Sequence, residues 1–184
     1  MAYYHWASEP VKLGRRSYPQ CGHPKPNGFW FDVNGSWKQW CESVRFRLER
    51  LQYRHTVSLL DDTGILFLKS ARDIDRFTRR YGRNMSGHIR PLQNPEENDA
   101  FARQYGRDLF SEIVGQFSNY IMWGEVAEKY SGIIIDPYSR SRSQKYLWYH
   151  GWNCAGGCIW NTNVIRLGRP SNQPGDLKAT NRLH

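Results

Sequence analysis

The chain has 184 residues, a length typical of one compact domain, and 39% of them are hydrophobic, which is enough for a buried core. Lysine and arginine outnumber aspartate and glutamate by 26 to 17, and the net charge of +9 favours an acidic macromolecular partner such as DNA or RNA. No apolar run approaches the roughly 20 residues that span a bilayer, and no signal peptide is visible, so we expect a cytoplasmic protein without a membrane partner.

The N-terminal part of the chain combines aromatic strands with turn-forming residues. Two strands are predicted, at Tyr3–Trp6 and Phe29–Val33. A helix follows from Ser36, where Gln39 completes a capping box. Apolar residues recur in that helix at the spacing of one buried stripe, formed by Trp37, Trp40, Cys41, Val44 and Leu48.

The middle of the chain continues this mixture of strands and helices. Strands are predicted at Tyr53–Leu60 and Ile65–Leu68, followed by a helix that Ser70 and Asp73 cap. The later elements are predicted as helices at Glu96–Phe117 and Tyr120–Tyr130 and as strands at Gly132–Ile135, Tyr146–Tyr149 and Cys158–Trp160.

This order of elements predicts a single α+β domain over residues 1–167, with strands near both ends and helices inserted between them. Residues 168–184 are polar, carry basic side chains and contain Pro and Gly, so we predict a flexible basic C-terminal tail.

Cysteine and histidine side chains offer one candidate metal site. Cys21, His23, Cys154 and Cys158 are residue types that bind zinc, but their spacing meets no zinc-site rule, so we predict no bound metal. The sequence also lacks the common motifs of hydrolases, P-loop proteins and dinucleotide-binding dehydrogenases.

Three aromatic and glycine-rich segments resemble the motifs of a known superfamily. Tyr4-His5 matches an early strand with an aromatic-His signature, and Gly28–Phe31 with Ser36-Trp37 matches a strand that leads into a helix carrying a stacking ring. Gly157–Ile165 looks like the closing strand. In this order they resemble the ADP-ribosyltransferase superfamily, in its poly(ADP-ribose) polymerase and diphtheria-toxin-like branch. They are also similar to a bacterial and viral protein family that we place near these transferases.

The resemblance implies a split antiparallel sheet with inserted helices and a toxin-like transferase activity. NAD would be the substrate, and ADP-ribose would pass to a protein or nucleic-acid acceptor. His5 would hold the ribose, Trp30 or Trp37 would stack on nicotinamide, and arginines would bind the pyrophosphate. The NAD-binding residues that the resemblance implies are His5, Arg15, Arg16, Trp30, Ser36 and Trp37.

The catalytic carboxylate departs from the family pattern. Where the family's catalytic glutamate would lie, the sequence reads Ala155-Gly156-Gly157. Glu125, Asn153 or Asp136 would have to substitute for it, or the activity has been lost or altered. A carboxylate there would stabilise the positive charge that develops on the ribose.

Two interpretations without catalysis stay open. The first is a basic nucleic-acid-binding module, in which arginines contact phosphates and interleaved tyrosines stack on bases. Its phosphate-binding candidates are Arg79, Arg80, Arg140 and Arg142. The second is a structural protein whose basic tail docks on a partner.

Overall fold

A computed structural model describes residues 1–20, 24–84 and 119–172. The strands are β1 Tyr3–Ala7, β2 Phe29–Val33, β3 Tyr53–Leu59, β4 Ile65–Leu68, β5 Gly82–Arg83, β6 Tyr120–Ile121, β7 Gly132–Ile135, β8 Gly156–Ile159 and β9 Ile165–Asn172. The helices are α1 Ser36–Val44, α2 Ala71–Tyr81, α3 Trp123–Ala127, α4 Arg140–Lys145 and α5 Leu147–His150.

Seven of these strands form one continuous sheet in the order β4-β7-β8-β2-β1-β3-β9. Neighbouring strands run antiparallel except β4 and β7, which are parallel. The molecule is therefore a mixed α/β single domain, which confirms the general class. The split, wholly antiparallel sheet that the resemblance implied differs from this arrangement, because β8 joins β7 to β2 without a gap.

The two faces of the sheet are covered differently. On one face, the loop face, Phe29, Phe31 and Val33 pack beneath the segment that carries Val11 and Leu13. On the other, the helix face, the buried core holds the residues of α2, α3 and α5 against β4, β7 and β8. Successive strand residues alternate between these faces, as the pleat requires. The helices cover the β4–β8 end of their face.

The glycines at the start of β8 have a packing reason. A Cβ on Gly157 would lie 2.6 Å from the Phe31 ring and 2.9 Å from an Ile134 side-chain carbon. A Cβ on Gly156 would lie 2.7 Å from the Phe31 carbonyl oxygen. These glycines therefore let β8 fit between its two neighbouring strands. Packing explains why the residues are small, and no bound ligand is needed to explain them.

One predicted element near the C-terminal part was wrong, and the predicted helix at Tyr120–Tyr130 is shorter than expected. Residues 147–150 form α5 and not a strand, and its Trp148 and Tyr149 are buried in the same core. A strand would send two consecutive side chains to opposite faces, so one turn of helix is needed. Residues 120–121 form a strand that pairs with β5, and α3 begins after them, at Trp123. The helix predicted at Glu96–Phe117 lies outside the described residues.

The boundary of the predicted tail also differs. β9 continues five residues beyond Leu167 and pairs with β3 as far as Asn172 opposite Tyr53. Residues 168–172 are thus part of the sheet, because the backbone N–H and C=O groups of β3 need partners whatever the side-chain polarity. Among the described residues, no helix is long and apolar enough to cross a membrane.

Candidate nucleic-acid interface

The apolar stripe of α1 is largely uncovered. Cys41 is fully buried against the domain, whereas Val44 is 52% exposed and Trp37 and Trp40 are half-buried. The helix ends at Val44, because Arg45 adopts a left-handed conformation with φ 54°, so Leu48 falls outside it. The prediction of one buried stripe was therefore wrong. Its rings instead form part of a surface.

Asp32 fixes the start of α1 against β1. Its Oδ2 accepts hydrogen bonds from the Trp6 indole N–H at 2.8 Å and from the Trp37 backbone N–H at 3.1 Å, and its Oδ1 accepts from the Gly35 N–H at 2.9 Å. The predicted capping box is absent at this helix, where Gly35 is the N-cap residue and makes no side-chain bond. Burial raises the pKa of Asp32, and these donors oppose that rise.

Half-buried and exposed rings form two neighbouring groups where α1 meets β1, and both groups are tied to Asp32. Trp37 and Trp40 stack with centroids 5.0 Å apart, and Phe46, itself 38% exposed, lies 5.4 Å from Trp40. The ring centroids of Tyr4 and Trp6 lie 6.5 Å apart. Both of these β1 side chains are on the helix face of the sheet, at the end that α2, α3 and α5 do not cover. We call the following set the aromatic platform: Tyr4, Trp6, Trp37, Trp40 and Phe46.

Cations accompany this platform. The Arg54 guanidinium lies 4.8 Å from the Tyr4 ring centroid, and the Lys38 ammonium lies 5.8 Å from that of Trp6. Arg47 lies 5.1 Å from the Phe46 centroid. Glu42 forms an exposed ion pair with Lys38 at 3.6 Å, which is weak in water. The surface therefore offers flat π faces and positive charge together.

The residues that the transferase interpretation needs are not brought together. His5 lies on the loop face, where its ring is 4.4 Å from Phe29 and its Nδ1 is 2.8 Å from the Trp30 carbonyl oxygen. Trp37 lies on the other side of the sheet. Its backbone N–H and the Trp6 indole N–H both donate to Asp32 Oδ2. Burial lowers the pKa of His5. This is a satisfied histidine at the edge of a core.

The other predicted NAD-binding residues are also scattered. The Trp30 ring packs 4.8 Å from Trp152, and the Ser36 hydroxyl donates to the Ala155 carbonyl at 2.7 Å. Arg16 donates to the Tyr18 hydroxyl and covers that ring, whereas Arg15 is exposed and lines a separate groove.

The candidates for the catalytic carboxylate occupy different places. Glu125 on α3 forms an ion pair with Arg83, whose Nη2 donates to both carboxylate oxygens, at 2.9 and 3.1 Å. Asn153 is half-buried in the loop before β8, and Asp136 follows β7. ADP-ribosyl transfer therefore stays a prediction from the resemblance, without a cleft that joins its residues.

The arginines predicted to bind nucleic acid differ in their availability. Arg79, Arg80 and Arg140 are exposed, and Arg80 covers the Tyr81 ring. Arg142 is committed to Asp75, which it contacts at 2.7 Å and whose pKa it lowers to about 2. Arg142 therefore joins α4 to α2.

The three cysteines of the described ranges lie in surroundings that disfavour the thiolate. Burial raises the pKa of Cys41 to about 11 and that of Cys154 to about 12. Cys158, fully buried, donates to the Pro26 carbonyl. Across the described ranges no group of three or more His, Cys, Asp or Glu could hold a metal, while Cys21 and His23 lie outside those ranges.

Sequence reasoning named four rings of this platform, Tyr4, Trp6, Trp37 and Trp40, but not Phe46. Trp37 and Trp40 were expected in a buried stripe, and neither Phe46 nor Arg54 was grouped with these rings. The sequence did contain one signal for the platform. Because side chains alternate along a strand, Tyr4 and Trp6 must lie on one face of β1 and His5 on the other. Comparison with protein-family models, curated proteins and solved structures finds no match for this chain.

Proposed function

We propose that this protein binds single-stranded nucleic acid, with bases stacked on the aromatic platform and phosphates held by the cations beside it. The observation that carries the proposal is the pairing of accessible rings with cations, Tyr4 with Arg54 and Trp6 with Lys38. Proteins that bind single strands without strong sequence preference combine these same two features.

The charge of the whole chain supports the same partner. A net charge of +9 attracts a polyanion at long range, and the attraction weakens as salt rises. The rings then distinguish a single strand from a duplex, because duplex bases are already stacked on each other and hide their faces.

The asymmetry of the sheet supports the location. Helices cover the β4–β8 end of the helix face, whereas Tyr4, Trp6 and Arg54 at the β1–β3 end stay partly exposed. Trp6 and Arg54 are directly paired across the two strands, so ring and cation are held on a rigid surface. A rigid surface loses little entropy when a ligand binds.

The test is fluorescence anisotropy with labelled dT15 and U15 and with a duplex of the same length. We expect the full chain to bind the single strands more tightly than the duplex, with affinity falling as salt rises. Trp40→Ala removes one stacking ring and is expected to weaken binding by about 5- to 150-fold, since one stacked base contributes about 1–3 kcal/mol.

Trp40→Phe is the matched control, because it keeps an aromatic face at the same position and is expected to retain most of the affinity. Equal losses in both variants would show that the ring does not stack on a base. Failure of the wild-type chain to bind any polynucleotide at low salt would overturn the proposal. Calorimetric binding of NAD in that case would return the transferase interpretation to first place.

A further inference from the structure

A second basic surface lies at the β9 edge of the sheet, on the side of the loop face. It is a groove of about 450 Å³ between β9 and the segment that follows β1. Four cationic residues line it: Lys12, Arg15, Arg166 and Arg169. All four are exposed.

The four cations are uncompensated. Among the described residues that line the groove there is no aspartate or glutamate. Within the ranges 1–20, 24–84 and 119–172, none of the four cations takes part in an ion pair. Like charges gathered without counter-charges repel one another, so a bound anion would relieve that repulsion.

The apolar floor of the groove strengthens the positive electrostatic potential of the four cations. Val11, Leu13 and Leu167 are half-buried there and pack against the loop-face core. A cleft with walls of low dielectric constant and charge of one sign concentrates the electrostatic potential inside it. The floor has no aromatic ring, so the groove offers phosphate contacts without base stacking.

The aromatic platform and the groove are separated by two steps across the sheet. From β1, which carries Tyr4 and Trp6, the next strands are β3 with Arg54 and then the edge strand β9 with Arg166 and Arg169. Two strand spacings amount to about 10 Å, a distance that a single nucleic-acid strand can cross. Cations therefore lie on both strands that the path crosses after β1.

We propose that this groove binds the sugar–phosphate backbone of the same nucleic-acid strand, after the strand leaves the platform and passes over the β9 edge. The inference rests on the proposed function and extends it: the ligand is a strand long enough to reach both surfaces. The platform supplies stacking, and the groove supplies phosphate contacts that do not depend on base identity.

An added peptide strand fits this edge poorly. Pro170 lacks a backbone N–H, and the β3–β9 pairing shifts its register between His55 and Val57. Both features disrupt the regular row of donors and acceptors that an incoming β-strand needs. An acidic peptide is therefore the less favoured occupant, and it becomes an outcome of the test.

The experiment compares salt dependence and strand length in two variants of equal net charge. The groove variant carries Lys12→Gln, Arg15→Gln, Arg166→Gln and Arg169→Gln. The control carries four exposed substitutions at the other end of the sheet: Lys69→Gln, Arg72→Gln, Lys129→Gln and Lys145→Gln. Affinities for dT5 and dT15 are measured by anisotropy between 50 and 200 mM salt, and melting curves establish that both variants fold.

We expect the wild type to bind dT15 more tightly than dT5, and the groove variant to lose most of this gain. Its slope of log affinity against log salt should fall by about 3 relative to the wild type, since each single-strand phosphate contact contributes about 0.7. The control should keep both the gain and a slope close to that of the wild type.

Equal behaviour of the groove variant and the control towards dT15 would overturn the groove proposal while leaving platform binding intact. Loss of binding to both oligonucleotides in the wild type would instead overturn the proposed function itself. Saturable binding of an acidic peptide such as oligoglutamate, abolished in the groove variant while its binding of dT15 is unchanged, would assign the groove to a protein partner.

Discussion

Asp32 is a buried carboxylate, 2% exposed, whose charge is stabilised by N–H donors. Because burial raises its pKa, protonation of Asp32 is easier in the folded state than in the unfolded chain. Ionisation of Asp32 is therefore less favourable in the fold than in the unfolded chain, and three hydrogen bonds offset part of that penalty. Its role is to hold Trp6 and the start of α1 together.

Asp32→Asn tests this role. An asparagine can accept on one side of its amide but presents an NH₂ group to the donors on the other, so at least one buried donor loses its partner. We expect destabilisation of about 1–3 kcal/mol in denaturant unfolding. Asp61→Asn, at an exposed turn, is the comparison and should change stability by less than about 0.5 kcal/mol. Equal effects would argue against the buried network.

His5 gives a pH-dependent prediction. Its pKa in the fold is lowered, chiefly by burial, from the 6.5 of an exposed histidine. The unfolded chain therefore takes up a proton more readily, and stability should be complete above about pH 6.5 and fall as pH falls through the folded pKa. We expect His5→Gln to lose less stability than the wild type between pH 7.5 and 5.5, measured by urea unfolding. An identical loss would assign the acid sensitivity to other groups.

At the scale of elements, β9 is the strand whose extent matters most for stability. Residues 168–172 pair with β3, and the Gly168 carbonyl lies 3.0 Å from Nδ1 of the fully buried His55. The other ring nitrogen of His55 accepts from the Val11 N–H at 3.1 Å. One histidine therefore connects β9 to the segment that covers the loop face.

Two truncations test the contribution of this strand. A chain ending at Leu167 lacks the Gly168 partner of His55 and the last pairs of the β3–β9 ladder. We expect it to melt at least 5 °C lower than a chain ending at Asn172, because the two differ by buried hydrogen bonds worth about 1 kcal/mol each. Equal melting temperatures would show that residues 168–172 contribute little to stability.

Local patterns predicted several elements well. Gly132–Ile135 is a run of apolar residues with three isoleucines, and it forms the buried strand β7. Ser70 accepts from the Asp73 N–H and begins α2, whose Ile74, Phe77 and Tyr81 are buried as the helical spacing indicated. These features depend on neighbours along the chain, so the sequence alone contains the information.

The candidate site was harder to predict, for a physical reason. The spacing of Trp37, Trp40 and Val44 establishes that α1 has an apolar side, but not that another element covers it. Coverage depends on where β1 and β3 place their own side chains, and those contacts join residues far apart in the sequence. The aromatic platform is thus a product of tertiary structure.

At the scale of the molecule, the unequal covering of the sheet separates two tasks. The β4–β8 end buries large aromatic residues, including Trp123 and Trp148, between the helices and the sheet. The β1–β9 end exposes rings on one face and a basic groove beside the other. The larger aromatic core thus lies at one end of the molecule, and the surface proposed to bind nucleic acid lies at the other.

The position of β8 in the sheet has a consequence for synthesis on the ribosome. β8 is among the last strands made, yet it lies between β7 and β2, in the interior of the sheet. Until residues 156–159 leave the exit tunnel, the earlier strands present two unmatched edges, at β2 and at β7. The nascent chain is therefore expected to close its sheet only after β8 has been made, and its two open edges are exposed to unwanted strand pairing until then.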